Sequence, residues 1–428
     1  MFRFIHAADL HLASPFKGLK AMDAAVGEKL RRATFDAYTT LIDLCIEKEV
    51  ACLVVAGDVF DGADQILEAQ LRFNYGLKRL KEHDIKAFIC HGNHDPLDSW
   101  RAQLSFPDNV HRFTGDAERV TVNVDGAPRY AVCGISYATQ EVKHSLLGKF
   151  PKRDWPEFTI GLLHASVGND DGHQSYAPCT VEELTGLGYD YWALGHVHTR
   201  AILQDSTPWI GYPGNPQGRS PRETGERGVY VVEVGDNDRV NTEFVPVHAV
   251  RWEQRDVSIE GLETVEQLDE RLDGTVEDIS EDADDRSVVY RIRLTGRGRV
   301  HQRLAEDDSA QTLTDRLNEL DEDVRGDRDP FPWCAGVNIE TASAMDLDRL
   351  RKGDDAVGDF LKLTKELAQD ATLAEYVKQE LSALFKHRIA KRHLQELVTT
   401  PEDAQTLLKK AEITALDLLV DEDPDLTS

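Results

Sequence analysis

Short apolar runs bounded by Gly, Asp, Asn and Pro punctuate the first 250 residues, and segments of helical spacing lie between them. From Met1 to about Val247 this alternation predicts an α/β unit whose strands lie in two sheets, with hairpin turns at Asp125-Gly126 and near Gly235-Asp236. Residues 249–344 read as a second, mixed region. Its signals are a strand at Val257 to Ile259, a helix near Thr264 to Leu272, a strand over Val288 to Leu294 and a helix near Ser309 to Leu320. The acidic stretch Glu277 to Asp285 reads as a solvated loop. Residues 345–428 carry no strand signal and read as helical, with apolar positions Tyr376, Leu381, Leu384, Phe385, Leu407, Leu408, Ala411, Leu418 and Leu419 at helical spacing. Thr400-Pro401-Glu402-Asp403 suits the start of the last helix, because the hydroxyl caps free amides, Pro fits the first turn and the acids favour the positive dipole end.

Five of the apolar runs deliver potential metal ligands directly after, or at the end of, the predicted strand. FRFIHAADLH ends on Asp9 and His11, CLVVAGDVFD on Asp58 and Asp61, and AFICHGNHD on Asn93, His94 and Asp95. FTIGLLHAS presents His164, and DYWALGHVH presents His196 and His198. A single His after a strand is most often a hydrogen-bonded structural residue, and a single Asp in a turn most often bonds nearby amides. Five such clusters in one chain predict a shared site at one edge of a sheet, outside the carboxyl ends of the strands. Carboxylate, imidazole and amide oxygen together suit Mn²⁺ or Fe²⁺ better than a thiolate-loving metal, with Zn²⁺ still compatible. Gly57, Gly92 and Gly195 allow sharp turns where a Cβ would crowd such a centre.

Charge changes this picture. The chain of 428 residues has a formal charge of −28, of which −9 falls in residues 1–250 and −19 in residues 251–428. Non-specific nucleic-acid binding is driven by basic groups, so composition argues against it, although a metal centre neutralises phosphate locally. The dispersed acids, with Arg commoner than Lys, fit a halophilic surface in which salt screens self-repulsion. Length exceeds one ordinary core and implies two or three domains. No apolar stretch approaches the roughly 20 residues of a membrane span, and the chain opens on a strand-like run rather than an export signal, so a cytoplasmic protein without membrane contact is expected. The six scattered cysteines form no C-x-x-C pair and are expected to be reduced core residues.

At these motifs the chain resembles the calcineurin-like metallophosphoesterases. GDVFD with GNHD and GHVH resembles the SbcD-type repair nucleases, and the opening HAADLHLASPFKGL with the later GYPGNPQGRSPRETGERGVYVVEV is most similar to the YhaO-like DNA repair exonucleases. The resemblance implies a four-layer αββα sandwich over residues 1–247, a small α+β capping domain over 249–344 and a helical C-terminal region over 345–428. It implies that Asp9, His11, Asp58 and His198 hold one metal ion, and that Asp58 bridges to a second ion completed by Asn93, His164 and His196. His94 corresponds to the catalytic histidine, and Asp61, where some relatives have histidine, orients His94 or Asn93. The implied activity is Mn²⁺-dependent hydrolysis of DNA in double-strand-break repair. An SbcC-type coiled-coil ATPase gripped by the tail is the implied partner, and a homodimer is compatible with it. The alternatives are a phosphodiesterase or phosphatase acting on small nucleotides or phosphoproteins, and a silent scaffold for the ATPase. Two further readings stay open: the tail stripe either packs on the protein's own core or binds the partner, and Arg219, Arg222 and Arg227 either contact phosphate or are exposed in a polar loop.

Overall fold

The computed structural model describes residues 1–14, 16, 24–61, 67–98, 105–124, 127–168, 176–284, 286–325, 330–344, 350–370, 372–385 and 401–420. The expected turn at Asp125-Gly126 and the Thr400 cap lie outside these residues. The chain divides into two compact units. One comprises Met1–Gln254, Asp278–Arg291 and Leu320–Ala335; the other comprises Arg255–Glu277, Ile292–Glu319 and Gly336–Ser428.

Two six-stranded sheets form the first unit. In one, β1 (Phe2–Ala7), β2 (Cys52–Ala56), β3 (Lys86–Cys90) and β4 (Val110–Arg112) run parallel, and β11 (Gly228–Val234) and β12 (Val240–Pro246) extend the β1 side antiparallel. The Gly235 amide donates to the Arg239 carbonyl at 2.9 Å, closing the hairpin expected there. In the other sheet β6 (Ala127–Gly134), β7 (Phe158–His164), β8 (Tyr191–Gly195) and β10 (Trp209–Tyr212) are parallel. Antiparallel β5 (Glu118–Val124) and β9 (Ala201–Asp205) form its edges.

Side chains alternate along each strand, so both faces of each sheet need a partner. Ile5, Ala7, Leu53, Val55 and Ile89 pack with Tyr38, Leu41, Phe73 and Leu77 of α1 (Ala24–Glu47) and α2 (Leu67–Glu82). Phe4, Val54, Ala56 and Phe88, from the opposite face, meet Val132, Ile160, Leu162 and Ala193 of the second sheet. The outer face of that sheet, with Cys133, Leu163, Trp192 and Leu194, packs on Leu147, Phe150 and Leu184, the last on the short helix α3 (Val181–Gly186). The layers are therefore helix, sheet, sheet and a thinner helical layer, the αββα sandwich. Double-sided burial is why these strands read as unbroken apolar runs. Each fully buried Leu, Val or Phe contributes about 1.5–3 kcal/mol relative to exposure. All six cysteines are buried and none forms a disulfide, as their apolar settings suggest.

A third sheet orders β13 (Val250–Ser258), β14 (Ser287–Gly298) and β15 (Pro332–Ser343), and the segments between them hold α4 (Val265–Asp282), α5 (His301–Leu304) and α6 (Ser309–Arg325). The helix expected to end at Leu272 continues to Asp282, so most of the supposed acidic loop is helical. Leu268, Leu272, Ile279 and Ala283 are all buried at helical spacing, and that stripe outweighs the acids on the opposite face. The tail contributes α7 (Ala356–Ala368), α8 (Leu373–Phe385) and α9 (Pro401–Val420). Leu416 packs with Leu361 and Val357, while Leu407 and Leu408 pack around Leu373 and Ala404, so part of the stripe packs within the tail itself. Tyr376 is 51% exposed. The side chains of Leu381, Leu384, Phe385, Leu418 and Leu419 lie outside the described residues.

Candidate metal centre

The five ligand-bearing segments converge, but on two sheets rather than one. β1, β2 and β3 belong to the first sheet and deliver Asp9, His11, Asp58, Asp61, Asn93 and His94; β7 and β8 belong to the second and deliver His164, His196 and His198. Which strands share a sheet is set by long-range pairing that local spacing does not carry. The loops are tied by backbone bonds: the Asp9 amide donates to Gly57 O at 3.1 Å, His11 to Asp58 O at 3.0 Å and Ala165 to Gly195 O at 3.1 Å. Asp95, fully buried, accepts from the Val59 and Gly92 amides at 2.9 Å each and so joins the second motif to the third.

Such close approach explains two of the glycines. A Cβ on Gly195 would lie 1.7 Å from the Ala56 carbonyl oxygen, and one on Gly92 would lie 2.2 Å from Asp58 Oδ1. Backbone cannot swing aside as a side chain can. Gly195→Ala is therefore expected to lower stability by about 1–3 kcal/mol or more, read as a fall in the urea midpoint. An unchanged midpoint would contradict the packing described here.

Strained backbone is concentrated at the same residues: Asp9 (φ 52°), His11 (φ 43°), Asp58 (φ 49°) and His196 (φ 102°) all occupy the left-handed region. Each such residue costs about 1–3 kcal/mol and persists only where the surroundings impose it. The side chains meet closely. His11 Nε2 and His198 Nε2 are 3.1 Å apart; Asp58 Oδ2 is 3.8 Å from His11 Nε2 and 3.4 Å from His164 Nε2. Asn93 Oδ1 is 3.0 Å from His164 Nε2, and Asp9 Oδ1 is 3.7 Å from His164 Nδ1. The His196 amide donates to both Asp9 oxygens at 3.1 Å, and its ring centroid is 5.2 Å from that of His164. Three overlapping groups have ligand atoms close enough to hold a cation: Asp9, His11 and His198; Asp9, Asp58 and His164; and His11, Asp61 and His94.

The donor set fits divalent ions. Asp9, Asp58, His11 and His164 are buried, and the side chains of His11 and His164 have no exposed surface. Burial, then the neighbouring Asp58 carboxylate, holds the Asp9 carboxyl far above its ordinary range; burial, then Asp95, pushes Asp58 up to about 7. Burial also lowers His164 to about 4 and drives His11 well down, keeping both imidazoles neutral and able to ligate. His11 Nδ1 is buried with no hydrogen-bond partner among the described residues. Buried carboxylates crowded among neutral imidazoles need a positive charge to be stable as anions.

His94 differs from these. Its side chain is 41% exposed, and Nδ1 sits 2.6 Å from Asp61 Oδ1, leaving Nε2 for another partner. The bond to Asp61 raises the His94 pKa, and the same bond holds Asp61 well below the carboxylate range. Among the described bonds, Asp61 contacts His94 rather than Asn93. Sequence reasoning missed Ser14 and Glu223. Ser14 Oγ donates to Asp61 Oδ2 at 2.6 Å, and Glu223 Oε1 accepts from His198 Nδ1 at 2.7 Å. Glu223 lies in a Gly- and Pro-rich loop without strand or helix period, and nothing in its spacing pointed to a histidine 25 residues earlier.

A buried cluster of carboxylates and neutral imidazoles at the strand ends of an αββα sandwich, with a half-buried histidine beside it, is the arrangement of a metal-dependent phosphoesterase. Residues 2–200 match the calcineurin-like phosphoesterase family, and residues 252–342 match the middle domain of metallophosphoesterase YhaO. The chain is 30% identical over 95% of its length to the uncharacterized metallophosphoesterase YhaO of Bacillus subtilis, and covers 97% of that protein. It is 27% identical over 63% of its length to the DNA double-strand break repair protein Mre11 of Methanopyrus kandleri, covering 62% of that protein. A dimetal phosphatase from Danio rerio aligns over 57% of this chain and 96% of its own at 15% identity, with a TM-score of 0.36. The chain belongs to the calcineurin-like metallophosphoesterases of the YhaO type, hydrolases of phosphate esters. No helix among the described residues is long and apolar enough to cross a membrane.

Proposed function

We propose that the chain is a two-metal phosphodiesterase that cleaves DNA, with Mn²⁺ as its working ion. Asp9, His11, Asp58 and His198 hold one ion, and Asp58, Asn93, His164 and His196 hold the other. The observation that carries this reading is the position of Asp58, whose Oδ2 lies within 4 Å of imidazole nitrogens from both halves, 3.8 Å from His11 and 3.4 Å from His164. When bound, two divalent ions neutralise phosphoryl charge and acidify a water. His94 contacts the scissile phosphate through Nε2 and donates a proton to the leaving oxygen. Asp61 keeps the Nδ1 proton in place and favours the protonated ring.

Support for DNA comes from the extended similarity to proteins named for double-strand break repair and from the YPGN-containing loop. Repair in the cytoplasm with an SbcC-type ATPase partner, and a surface adapted to high salt, complete the reading. The charge of −28 favours a small nucleotide substrate instead. An assay with Mn²⁺ on single- and double-stranded DNA, beside bis-p-nitrophenyl phosphate, separates the two: hydrolysis of the small ester without DNA cleavage would sink the nuclease reading.

The proton balance of the site gives a second test. Asp58 titrates near pH 7 without a cation and must lose its proton to ligate. Mn²⁺ affinity should therefore weaken as pH falls through about 7, and binding at pH 6.5 should release protons. Calorimetry in buffers of different ionisation enthalpy measures that release. Binding with no proton release at that pH would contradict the protonated carboxyl.

A further inference from the structure

The loop between β10 and β11 carries three arginines that its sequence offered as phosphate contacts, and the structure spends two of them internally. Arg227 is 8% exposed; Nη1 bonds the His198 carbonyl and Asn215 Oδ1, and Nη2 donates to the Thr224 carbonyl at 3.1 Å. Arg219 has a side chain only 11% exposed. Its Nη1 donates to Ser14 Oγ at 2.7 Å and Asp61 Oδ2 at 3.1 Å, and its Nε is buried, out of reach of a substrate. Arg222 alone is exposed.

Four residues after Arg219, Glu223 closes the turn. Its amide donates to the Ser220 carbonyl at 3.0 Å, Oε2 accepts the Arg219 amide at 2.6 Å and Oε1 accepts His198 Nδ1 at 2.7 Å. The two ends of one tight turn thus reach two different histidines: His198 directly, and His94 through Asp61, which is 2.6 Å from His94 Nδ1. A carboxylate on Nδ1 fixes the tautomer and ring plane of an imidazole and makes its Nε2 a better donor of electrons to a metal. A guanidinium on the far oxygen of Asp61 restrains the carboxylate that aims His94.

We propose that residues 219–223 form a positioning bracket that sets both sides of the centre at once, Glu223 holding the ligand His198 and Arg219 holding the Asp61–His94 pair. Arg219 is then a positioning residue and not a phosphate contact. The inference rests on the metal and His94 roles proposed above. Its distinguishing consequence is a split: damage at Glu223 appears in metal affinity, whereas damage at Arg219 appears in turnover.

The test uses the full chain stripped of metal and titrated with Mn²⁺ by calorimetry, with kcat and KM for bis-p-nitrophenyl phosphate at saturating Mn²⁺ and thermal melts alongside. Glu223→Ala should weaken Mn²⁺ binding by about 10- to 100-fold, with activity recovering as Mn²⁺ is raised. Arg219→Ala should leave Mn²⁺ affinity near wild type and lower kcat by about 10- to 100-fold at unchanged KM, and Arg219→Lys should recover part of it. Should Glu223→Ala not fold, Glu223→Gln carries the arm: it still accepts from Nδ1 but lacks the charge, so Mn²⁺ affinity should drop by about tenfold. Wild-type affinity in the Glu223 variants, or a raised KM at intact kcat in Arg219→Ala, overturns the bracket while the phosphodiesterase reading stands. A wild-type chain that neither binds Mn²⁺ nor hydrolyses the ester overturns both.

Discussion

His94→Ala should lower kcat on bis-p-nitrophenyl phosphate by about 10²- to 10⁴-fold and leave the Mn²⁺ content of the protein at the wild-type level. The two halves of that expectation come from different atoms of one residue. Its imidazole is 41% exposed, against 28% for that of His198, and points Nδ1 at Asp61, so its loss removes the group proposed to serve the phosphate. Its backbone amide donates to Asp58 Oδ1 at 2.9 Å, and that bond survives truncation to alanine. Asp58 therefore keeps its position. Elemental analysis of purified wild type and variant, paired with steady-state kinetics, checks both halves. The competing geometry is the third cation-sized group, His11 with Asp61 and His94. If the variant lost metal in proportion to activity, His94 would be a ligand and the catalytic assignment would fail. The Arg219 guanidinium, 3.1 Å from Asp61 Oδ2, already occupies the electrostatic role a cation would have there.

The cluster of candidate ligands was legible because its signal is local: a buried strand must end, and a charged or imidazole side chain immediately past the end draws notice when it recurs five times. The same logic made the layers readable, since strands buried on both faces lose the alternation of a one-sided sheet. What stayed illegible depends on long-range partners. Asp61 was placed near the centre by its motif, but only the fold shows that it bonds His94, Ser14 and Arg219 together. Glu223 and Arg219 sit in a loop whose composition says only that it turns. Charge misled at Glu277 to Asp282: a run of acids looked like a loop because the buried stripe of Leu272, Ile279 and Ala283 lies among them at a spacing that a count of charge ignores. Arginines 219 and 227 misled in the opposite sense, since a guanidinium in a polar loop looks free until the carboxylate and carbonyls it serves are brought to it by the fold.

Asp58→Asn should empty both metal positions and, in the metal-free protein, raise stability. The carboxylate lies between imidazoles of both halves, and a neutral amide is a poor bridge between two cations. Removing one charged partner from a buried ionic assembly costs about 3–5 kcal/mol, which at about 1.4 kcal/mol per tenfold is two to three and a half decades of Mn²⁺ affinity. The stability arm has the opposite sign. Without a cation Asp58 titrates at about 7, far above the ordinary 3.8, because burial and Asp95 disfavour its charged form. A group whose folded pKa is raised contributes stability that is present below its unfolded pKa and lost as pH rises through the folded value. The metal-free wild type therefore carries a penalty at pH 8 that the asparagine lacks, and the amide oxygen still accepts the His94 backbone N–H that Asp58 Oδ1 accepts at 2.9 Å. Melting both proteins in chelator from pH 4 to pH 8 should show the variant gaining on wild type across that window, with the difference greatest above pH 7. Adding Mn²⁺ should reverse the order, because only the wild type recovers its cations. Two ions retained at full occupancy in Asp58→Asn, or a metal-free difference that does not grow with pH, would remove Asp58 from the bridging position.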